Sequence, residues 1–397
     1  RSEMRGLPNR RDVLIRRDRV VDDVLAQFST AKVRELAFRN QQESPSQQHH
    51  VTRWPVKVRF EGEEGVDEGG LTAETLALFF QGALDDDRGL FEGRAGSDLK
   101  LPRPPPSSES GKKSAFLAHL ETFGRALVTA CYEGCGAPPK LAPSLFKFLA
   151  RGAAHVAAGD ARAIRDLRQF DPALGAALEN MLANPPPADA TDWGLDFADA
   201  TTQGADDDAS SSSSSSDKRR DPRPVTEANK HEFVVLKVRW VLTGCRLESL
   251  TALRRGFEDA LAELSPEAAP FLKLFSSTDW RVMLCSNDDL AADDVLACLA
   301  FRGFARTSVV PDAMRKAIAA FSVDSLRRFL VFATGSPSLP NDARDFAINV
   351  RAQPPADSLP VSHTCFFHID IPDYPDELTF NHKFSFALFE CNSFSIL

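Results

Sequence analysis

The sequence lacks the features of a membrane-spanning or secreted chain. A membrane helix needs roughly 18 apolar residues, and the longest apolar run, residues 233–242, is interrupted by Lys237 and Arg239. No secretory signal occupies the first residues, and the chain starts at Arg1 rather than at methionine. We therefore expect a domain cut from a longer intracellular, cytoplasmic protein without a membrane span; a nuclear location stays open.

Cysteine is scarce and unpaired in the sequence. The seven cysteines include no Cys-x-x-Cys pair, and Cys131 with Cys135 supplies too few ligands for a closed zinc site. We expect reduced thiols, no metal and no cofactor. Six cysteines lie in apolar or helical patterns and are expected to act as small apolar side chains: Cys131, Cys135, Cys245, Cys285, Cys298 and Cys391.

A basic surface is also missing, because the net charge is -9. An acidic balance argues against a nucleic-acid-binding protein. What is present is a globular composition, with 43% hydrophobic and 26% charged residues, which can fill a core. A chain of 397 residues exceeds one ordinary core, so two or three subdomains are expected.

The seventh cysteine, Cys365, stands in a different context. Residues 359–375 read LPVSHTCFFHIDIPDYP, in which Pro360 cannot donate to a strand and apolar residues then alternate with His368 and Asp370. This pattern places the thiol where a turn enters a strand, and we expect His368 and Asp370 to be solvated. Backbone N–H groups and His363 would favour the thiolate, which indicates a nucleophile; a buried, inert cysteine is the alternative.

Residues 359–375 closely resemble the active-site segment of HECT-type ubiquitin ligases. They share a leucine-proline pair, then serine-histidine-threonine-cysteine-phenylalanine, and then proline-x-tyrosine. Four more segments are similar to the family in the expected order, and together they span about residues 11–397: residues 58–70, 225–230, 254–257 and 328–336.

The resemblance implies an α+β, bilobal HECT-like fold. A larger, mostly helical N-lobe would comprise residues 1–305, and a smaller α/β C-lobe with the cysteine would comprise residues 306–397, with a flexible hinge at Gly303. A small subdomain, residues 160–225, would dock the conjugating enzyme. Within it we expect residues 204–221 to form a disordered insert, because a serine-rich, charged stretch buries too little apolar area to fold.

The implied function is a ubiquitin-protein ligase that accepts ubiquitin from a conjugating enzyme as a thioester on Cys365 and transfers it to a substrate lysine. His363 would stabilise the thiolate or hold the loop, Thr364 would assist the oxyanion, and Phe394 would serve transfer to substrate. The implied partners are ubiquitin, the conjugating enzyme and protein substrates with acceptor lysines. Five residues would dock the conjugating enzyme: Leu174, Leu178, Leu182, Trp193 and Phe197.

Two alternatives remain open from the residues. A cysteine hydrolase such as a deubiquitinase needs a histidine base, and only 397 - 365 = 32 residues follow Cys365. They include His368 and His382, but no hydrolase signature surrounds the cysteine. A catalytically inactive module that binds ubiquitin or the conjugating enzyme is the other alternative. It is allowed by the serine-rich insert and by Cys285-Ser286, where the family more often has a glycine.

Hydrophobic periodicity predicts the local structure. Residues 233–242 fit a strand or a helix, and the family resemblance favours the helix. Asp171 and Pro172 predict the start of a helix, and Gly335 predicts the end of one. The glycine-rich residues 62–70 predict a turn rather than a phosphate cradle, because their acidic side chains would repel an anion. We predict strands at residues 56–60 and 346–350, and helices at residues 11–28, 71–84, 114–131, 247–264, 312–321, 324–334 and 377–391.

Overall fold

The side chains form two separate hydrophobic cores, which follow one another along the chain. The first core runs from Val13 to Cys285 and the second from Leu290 to Leu388. No helix in the part of the chain that is described has the length and apolar character to cross a membrane. The computed structural model describes residues 11–29, 32, 56–63, 70–106, 110–133, 136–137, 140–156, 161–186, 192–201, 221–264, 274–285, 290–335, 339, 346–353 and 358–390.

The chain enters the first core as a strand. Strand β1, Arg11–Ile15, pairs in parallel with β2, Val56–Phe60, and helix α1 then covers Val20–Gln27. The predicted strand at residues 56–60 is confirmed, whereas the predicted helix over 11–28 is wrong in its first part. Val13 and Ile15 alternate into the core, and their partners Val58 and Phe60 lie 45 residues further along the chain.

Helices make up most of the first core, together with the short antiparallel pair β3, Phe91–Glu92, and β4, Leu101–Pro102. The predicted start at Asp171 is confirmed, since its side chain accepts a hydrogen bond from the Leu174 backbone N–H (2.9 Å) and Pro172 opens the helix. The predicted helices at 71–84, 114–131, 233–242 and 247–264 are also confirmed. After α1 the helices are α2 Gly70–Ala83, α3 Ser110–Glu133, α4 Pro143–Arg151, α5 Ala153–Val156, α6 Ala161–Phe170, α7 Pro172–Ala183, α8 Lys230–Leu242, α9 Leu247–Leu264 and α10 Ser277–Leu284.

Helices α3 and α9 cross at two glycines. A Cβ atom on Gly124 would lie 2.0 Å from the carbonyl oxygen of Leu253, and one on Gly256 would lie 1.9 Å from that of Glu121. Each glycine therefore receives the backbone of the other helix, and neither position has space for a side chain. This close approach fixes the centre of the first core.

The second core surrounds a four-stranded sheet with the order β5-β6-β8-β7. Strands β5, β6 and β8 are parallel, and β7 is antiparallel to β8 at the edge. A π-helical turn, Phe386–Glu390, follows the last helix. The elements in order are α11 Ala292–Ala297, β5 Leu299–Arg302, α12 Val310–Ala319, α13 Val323–Thr334, β6 Ile348–Ala352, β7 Val361–His363, β8 His368–Ile371 and α14 Glu377–Ser385.

The change from one core to the other lies between Cys285 and Leu290. The predicted boundary between residues 305 and 306 therefore falls inside the second core, because β5 pairs with β6 along its full length. Gly303, the predicted hinge, follows β5 directly, and a Cβ atom there would lie 3.7 Å from the Cβ of Ala352. Gly303 thus lies at a strand end within the second core.

The C-terminal predictions are confirmed in part. In the segment predicted as the helix 377–391, Phe384, Ala387 and Leu388 are buried, but Leu378 is 80% exposed and does not join the core. The predicted helices at 312–321 and 324–334 are present, and Gly335 caps the second of them in the left-handed conformation. The predicted disordered insert falls, apart from residue 221, outside the described residues, as do residues 64–69 of the glycine-rich stretch.

Candidate active site

Cys365 lies on the connection of the β7–β8 hairpin. The two strands end in a pair formed by His363 and His368, and residues 364–367 join them. Thr364, Cys365 and Phe366 form a single 3-10 turn. The prediction that the cysteine stands where a turn enters a strand is therefore confirmed for its backbone; its side chain is outside the described part of the structure.

Phe367 closes this connection in the left-handed region, with φ of 52°. Its backbone N–H donates to the carbonyl oxygen of Thr364 (3.3 Å), and its ring contacts the ring of Phe346. A residue other than glycine in this conformation costs about 1–2 kcal/mol. The ring contact and the hydrogen bond offset that cost and hold the reversal of the chain just after the cysteine.

A polar cluster of His363, His368 and Asp370 supports the hairpin. His363 Nε2 donates a hydrogen bond to Asp370 Oδ2 (3.0 Å), and His368 Nε2 lies 3.9 Å from the same oxygen. The two imidazole rings are 4.4 Å apart. Asp370 is only 8% exposed, so the prediction that His368 and Asp370 are solvated is wrong.

The sheet explains that burial. Strand β8 lies between β6 and β7, and Gln353, just after β6, donates to Asp370 Oδ2 (3.0 Å). Burial, together with the charges of His363 and Arg351, lowers the pKa of His368, which keeps its ring neutral near pH 7. The sequence pattern did not indicate Asp370 or Gln353 as site residues, although the two-residue period of β8 does place residues 368 and 370 on one face.

The segment before the cysteine is tied to the second core at two points. The buried Tyr374 hydroxyl donates to the carbonyl oxygen of Ser358 (2.8 Å), and burial raises the pKa of Tyr374 to about 12. The Ser362 hydroxyl donates to the carbonyl oxygen of Phe332 in α13. These bonds hold β7 against the core although it is the edge strand of the sheet.

The first core contacts the cysteine turn through α2. At the same place a Cβ atom on Gly335 would lie 3.2 Å from the carbonyl oxygen of Gly70, the first residue of α2. Glu74, in the next turn of α2, is buried and pairs with Arg17 (2.5 Å). Burial raises the pKa of Glu74, while Arg17 counteracts that shift.

The surface around the turn is open and partly apolar. Phe366 is 65% exposed, and Val361 is also exposed. The His363 side chain is 43% exposed and therefore accessible. Thr364 is half-buried, and Phe394 lies outside the described residues. The structure thus brings His363 and Thr364 to the cysteine connection.

The predicted docking residues divide into two groups. Leu178 and Phe197 are buried in the first core, where Phe197 packs edge-on against Phe233. Their burial leaves little surface for a partner, and the docking role stays a prediction at these two positions. The other three are half-buried at its edge: Leu174, Leu182 and Trp193.

Four other cysteines fall within the described residues, and all have the expected structural character. Cys285 and Cys298 are buried, and Cys131 and Cys245 are half-buried. Burial raises the pKa of the Cys131 thiol and of the Cys298 thiol, which makes both poorer nucleophiles.

Comparison with known proteins gives a family match over most of the chain. The family described as HECT-domain (ubiquitin-transferase) matches residues 77–397. "E3 ubiquitin-protein ligase pub3" of Schizosaccharomyces pombe is 26% identical over 395 residues, which are 97% of this chain and 45% of that protein. "E3 ubiquitin-protein ligase UPL1" of Arabidopsis thaliana is 24% identical over 351 residues, or 85% of this chain and 9% of that protein.

A third relative comes from Dictyostelium discoideum and is named "Bifunctional serine/threonine-protein kinase/NEDD4-like E3 ubiquitin-protein ligase". It is 28% identical over 257 residues, which are 65% of this chain and 12% of that protein. The chain thus spans less than half the length of each of these three relatives. Since the family match includes the cysteine hairpin and most of both cores, the chain belongs to the HECT-domain (ubiquitin-transferase) family.

Proposed function

We propose that this chain transfers ubiquitin in two steps, through a thioester on Cys365. The observation that supports the proposal best is the position of Cys365 in a family member. It lies on a four-residue connection between two paired histidines, and the buried carboxylate of Asp370 holds one of them. An exposed turn at a sheet edge can meet a second protein, as transfer between proteins requires.

The first step exchanges one thioester for another. The Cys365 thiolate attacks the carbonyl carbon at the ubiquitin C-terminus, and the thiolate of the conjugating enzyme leaves. One carbon–sulfur bond forms and one breaks, so the step is nearly balanced in energy and depends mainly on proximity and on thiolate supply. A thiol with an ordinary pKa of ~8.5 is already a few per cent ionised near pH 7.

His363 is proposed to hold the cysteine connection. Asp370 Oδ2 accepts the Nε2 proton of His363, which fixes the ring orientation and places the lone pair of the neutral ring on Nδ1. The ring can then order the loop or stabilise the thiolate. Thr364 is proposed to assist the oxyanion of the tetrahedral intermediate through its hydroxyl or its backbone N–H.

The second step delivers ubiquitin to a lysine. The neutral amine attacks the thioester, an amide bond forms, the amine loses a proton, and the Cys365 thiolate is released. Phe394 is proposed to help position the acceptor. Protein substrates with accessible lysines, ubiquitin and a conjugating enzyme are the partners that this reaction needs.

The conjugating enzyme is proposed to dock at the edge of the first core. Leu174 and Leu182 on α7, together with Trp193, are the predicted docking residues that keep part of their surface exposed. Large, half-exposed apolar side chains of this kind act as anchors at protein interfaces.

The deciding experiment is a non-reducing gel. The domain is incubated with ubiquitin, ATP, activating enzyme and a panel of conjugating enzymes. We expect an adduct on the domain that a thiol reductant removes, that disappears in Cys365→Ala, and that resists reductant in Cys365→Ser because an oxyester replaces the thioester.

The matched control is Cys131→Ala, which removes a half-buried thiol whose pKa is raised by burial. This variant should keep the adduct at the level of the unaltered domain. A domain that binds conjugating enzymes but forms no adduct with any of them would overturn the proposal in favour of an inactive binding module.

A further inference from the structure

The cluster beside Cys365 has the ligand set of a transition-metal site. His363, His368 and Asp370 each offer one ligand atom, and the three atoms lie within 4.8 Å of one another. Imidazole nitrogen and carboxylate oxygen are common zinc ligands. We propose that these residues form an exchangeable Zn²⁺ site that inhibits the transfer activity proposed above.

The distances fit a small rearrangement. Ligand bonds of about 2.0–2.2 Å in a tetrahedral site place neighbouring ligand atoms roughly 3.3 Å apart. The separations of 3.0 Å from His363 Nε2 to Asp370 Oδ2 and 3.9 Å from His368 Nε2 to Asp370 Oδ2 lie on either side of that value. Two of the three separations are thus close to the value for one tetrahedral ion, and the third is at most 4.8 Å.

The carboxylate has unused binding capacity. Asp370 Oδ1 is buried and has no hydrogen-bond partner within the described part of the chain, although a buried carboxylate oxygen without a partner is costly. Gln353 donates to the other oxygen and can orient the group, as supporting residues do at metal sites. A cation bound by this carboxylate would compensate its buried charge, which both oxygens share.

The surrounding charges permit binding. A metal ligand must be an unprotonated nitrogen, and the neutral ring of a histidine offers one. Apart from His363, which is itself a proposed ligand, Arg351 is the cationic group that acts on His368; it is exposed, so solvent and salt weaken its repulsion. The exposed edge of His363 gives an ion access from solvent. Three protein ligands leave a fourth position open, as in sites whose ligands exchange.

Inhibition follows from the hairpin register. The paired residues His363 and His368 mark the two ends of the connection that carries Cys365. An ion bound to both would restrain the connection, and it would replace the hydrogen bond between His363 and Asp370. His363 could then no longer order the loop in the proposed way.

The binding test uses the Cys365→Ala domain, so that neither ligase activity nor the reactive thiol affects the result. Co²⁺, a spectroscopic substitute for zinc, is titrated while its visible absorption is recorded. We expect a tetrahedral-type spectrum, and binding weaker by about tenfold or more when His368→Gln is added, because a direct ligand is lost. Adding His382→Gln instead removes an exposed histidine outside the cluster and should leave the affinity unchanged.

Folding is checked in the same samples by thermal denaturation. Zn²⁺ should raise the melting temperature of the parent and of the His382→Gln variant, because a ligand that binds the folded state stabilises it, but not that of His368→Gln. The proposed metal site would be overturned if Zn²⁺ did not raise the melting temperature of the parent. It would also be overturned if Co²⁺ bound equally well with and without His368.

The regulatory part is tested by single-turnover transfer from a pre-charged conjugating enzyme to Cys365. Each variant is compared with itself, with and without saturating Zn²⁺. We expect Zn²⁺ to slow the unaltered domain about tenfold or more, and His368→Gln by less than about twofold. Equal slowing of both would overturn inhibition through this cluster and would leave the proposed transfer function untouched.

Discussion

Two buried charged groups, Arg246 in the first core and Asp370 in the second, are satisfied to different degrees. In the first core, the fully buried Arg246 donates to the carbonyl oxygens of Val241 and Pro102 and to the carboxylate of Glu92. In the second core, the buried Asp370 leaves one oxygen without a partner among the described residues. Satisfied polar groups rigidify a scaffold, whereas a partly satisfied group stays available for chemistry or for a ligand.

The largest expected effect comes from breaking the arginine network. Arg246→Met removes every donor of the guanidinium and leaves Glu92 and two carbonyl groups without their buried partner. We expect a loss of about 3–5 kcal/mol in the free energy of unfolding, measured by urea denaturation.

Arg223→Met is the matched control for that substitution. Arg223 is exposed and pairs with Asp221 and Glu232 on the surface, so solvent replaces its partners and stability should be almost unchanged. Equal losses in the free energy of unfolding for Arg246→Met and Arg223→Met would mean that the buried hydrogen bonds of Arg246 do not stabilise the first core more than a surface ion pair does.

The second effect tests the packing of the first core. Gly256→Ala places a methyl group against the backbone of α3, where the helices cannot separate without losing their contact. We expect a loss of about 3 kcal/mol, at the upper end for overpacking.

The control for packing is Gly111→Ala, near the start of α3, where a Cβ atom meets nothing within 4 Å. This change should be neutral or stabilising by up to about 1 kcal/mol, because alanine favours the helix. Thermal unfolding followed by circular dichroism measures both variants. If Gly256→Ala is as stable as the unaltered chain, the helix crossing is looser than described.

The smallest expected effects come from replacing one aspartate in each core by asparagine. Asp23 in the first core accepts hydrogen bonds from both the backbone and the side chain of Arg16, which lower its pKa. Asp23→Asn should cost about 1–2 kcal/mol, and Asp370→Asn less than about 1 kcal/mol, since Asp370 is only partly satisfied. Urea denaturation at neutral pH compares the two.

The pH dependence sharpens this comparison. Because the folded state lowers the pKa of Asp23 below 3.8, the stability it contributes is present above that pH and is lost as the pH falls further. The difference between the unaltered chain and Asp23→Asn should therefore shrink below about pH 3.8. A difference that persists in acid would assign the effect to packing rather than to charge.

The long periodic helices and their caps were predictable because their signals are local. The apolar stripe of residues 247–264 and the Asp171-Pro172 start each depend on neighbours within a few positions. Strand β1 was not predictable in this way: five residues are too few to separate a strand from a helix, and the partner strand lies beyond α1. The boundary between the cores was misplaced for the same reason, since β5 is defined by its pairing with β6.

At the candidate site, the motif predicted the position of Cys365, and the side-chain cluster escaped prediction. The alternation on β8 does place His368 and Asp370 together, but it cannot tell which face of the strand is covered. The structure shows that β8 is flanked by β6 and β7 and that its successive residues Ile369, Asp370 and Ile371 are all buried. The burial of Asp370 is thus a tertiary property, which the sequence pattern alone does not determine.

The order of the two cores along the chain has a consequence for synthesis. Every residue of the first core precedes every residue of the second, so the first can fold while the second is still being made. The strand that follows the cysteine turn, β8, is central in its sheet and leaves the ribosome after β5 and β6. A nascent chain therefore acquires the helices of the first core first and the strand that supports Cys365 last, so a chain truncated before β8 would lack that support.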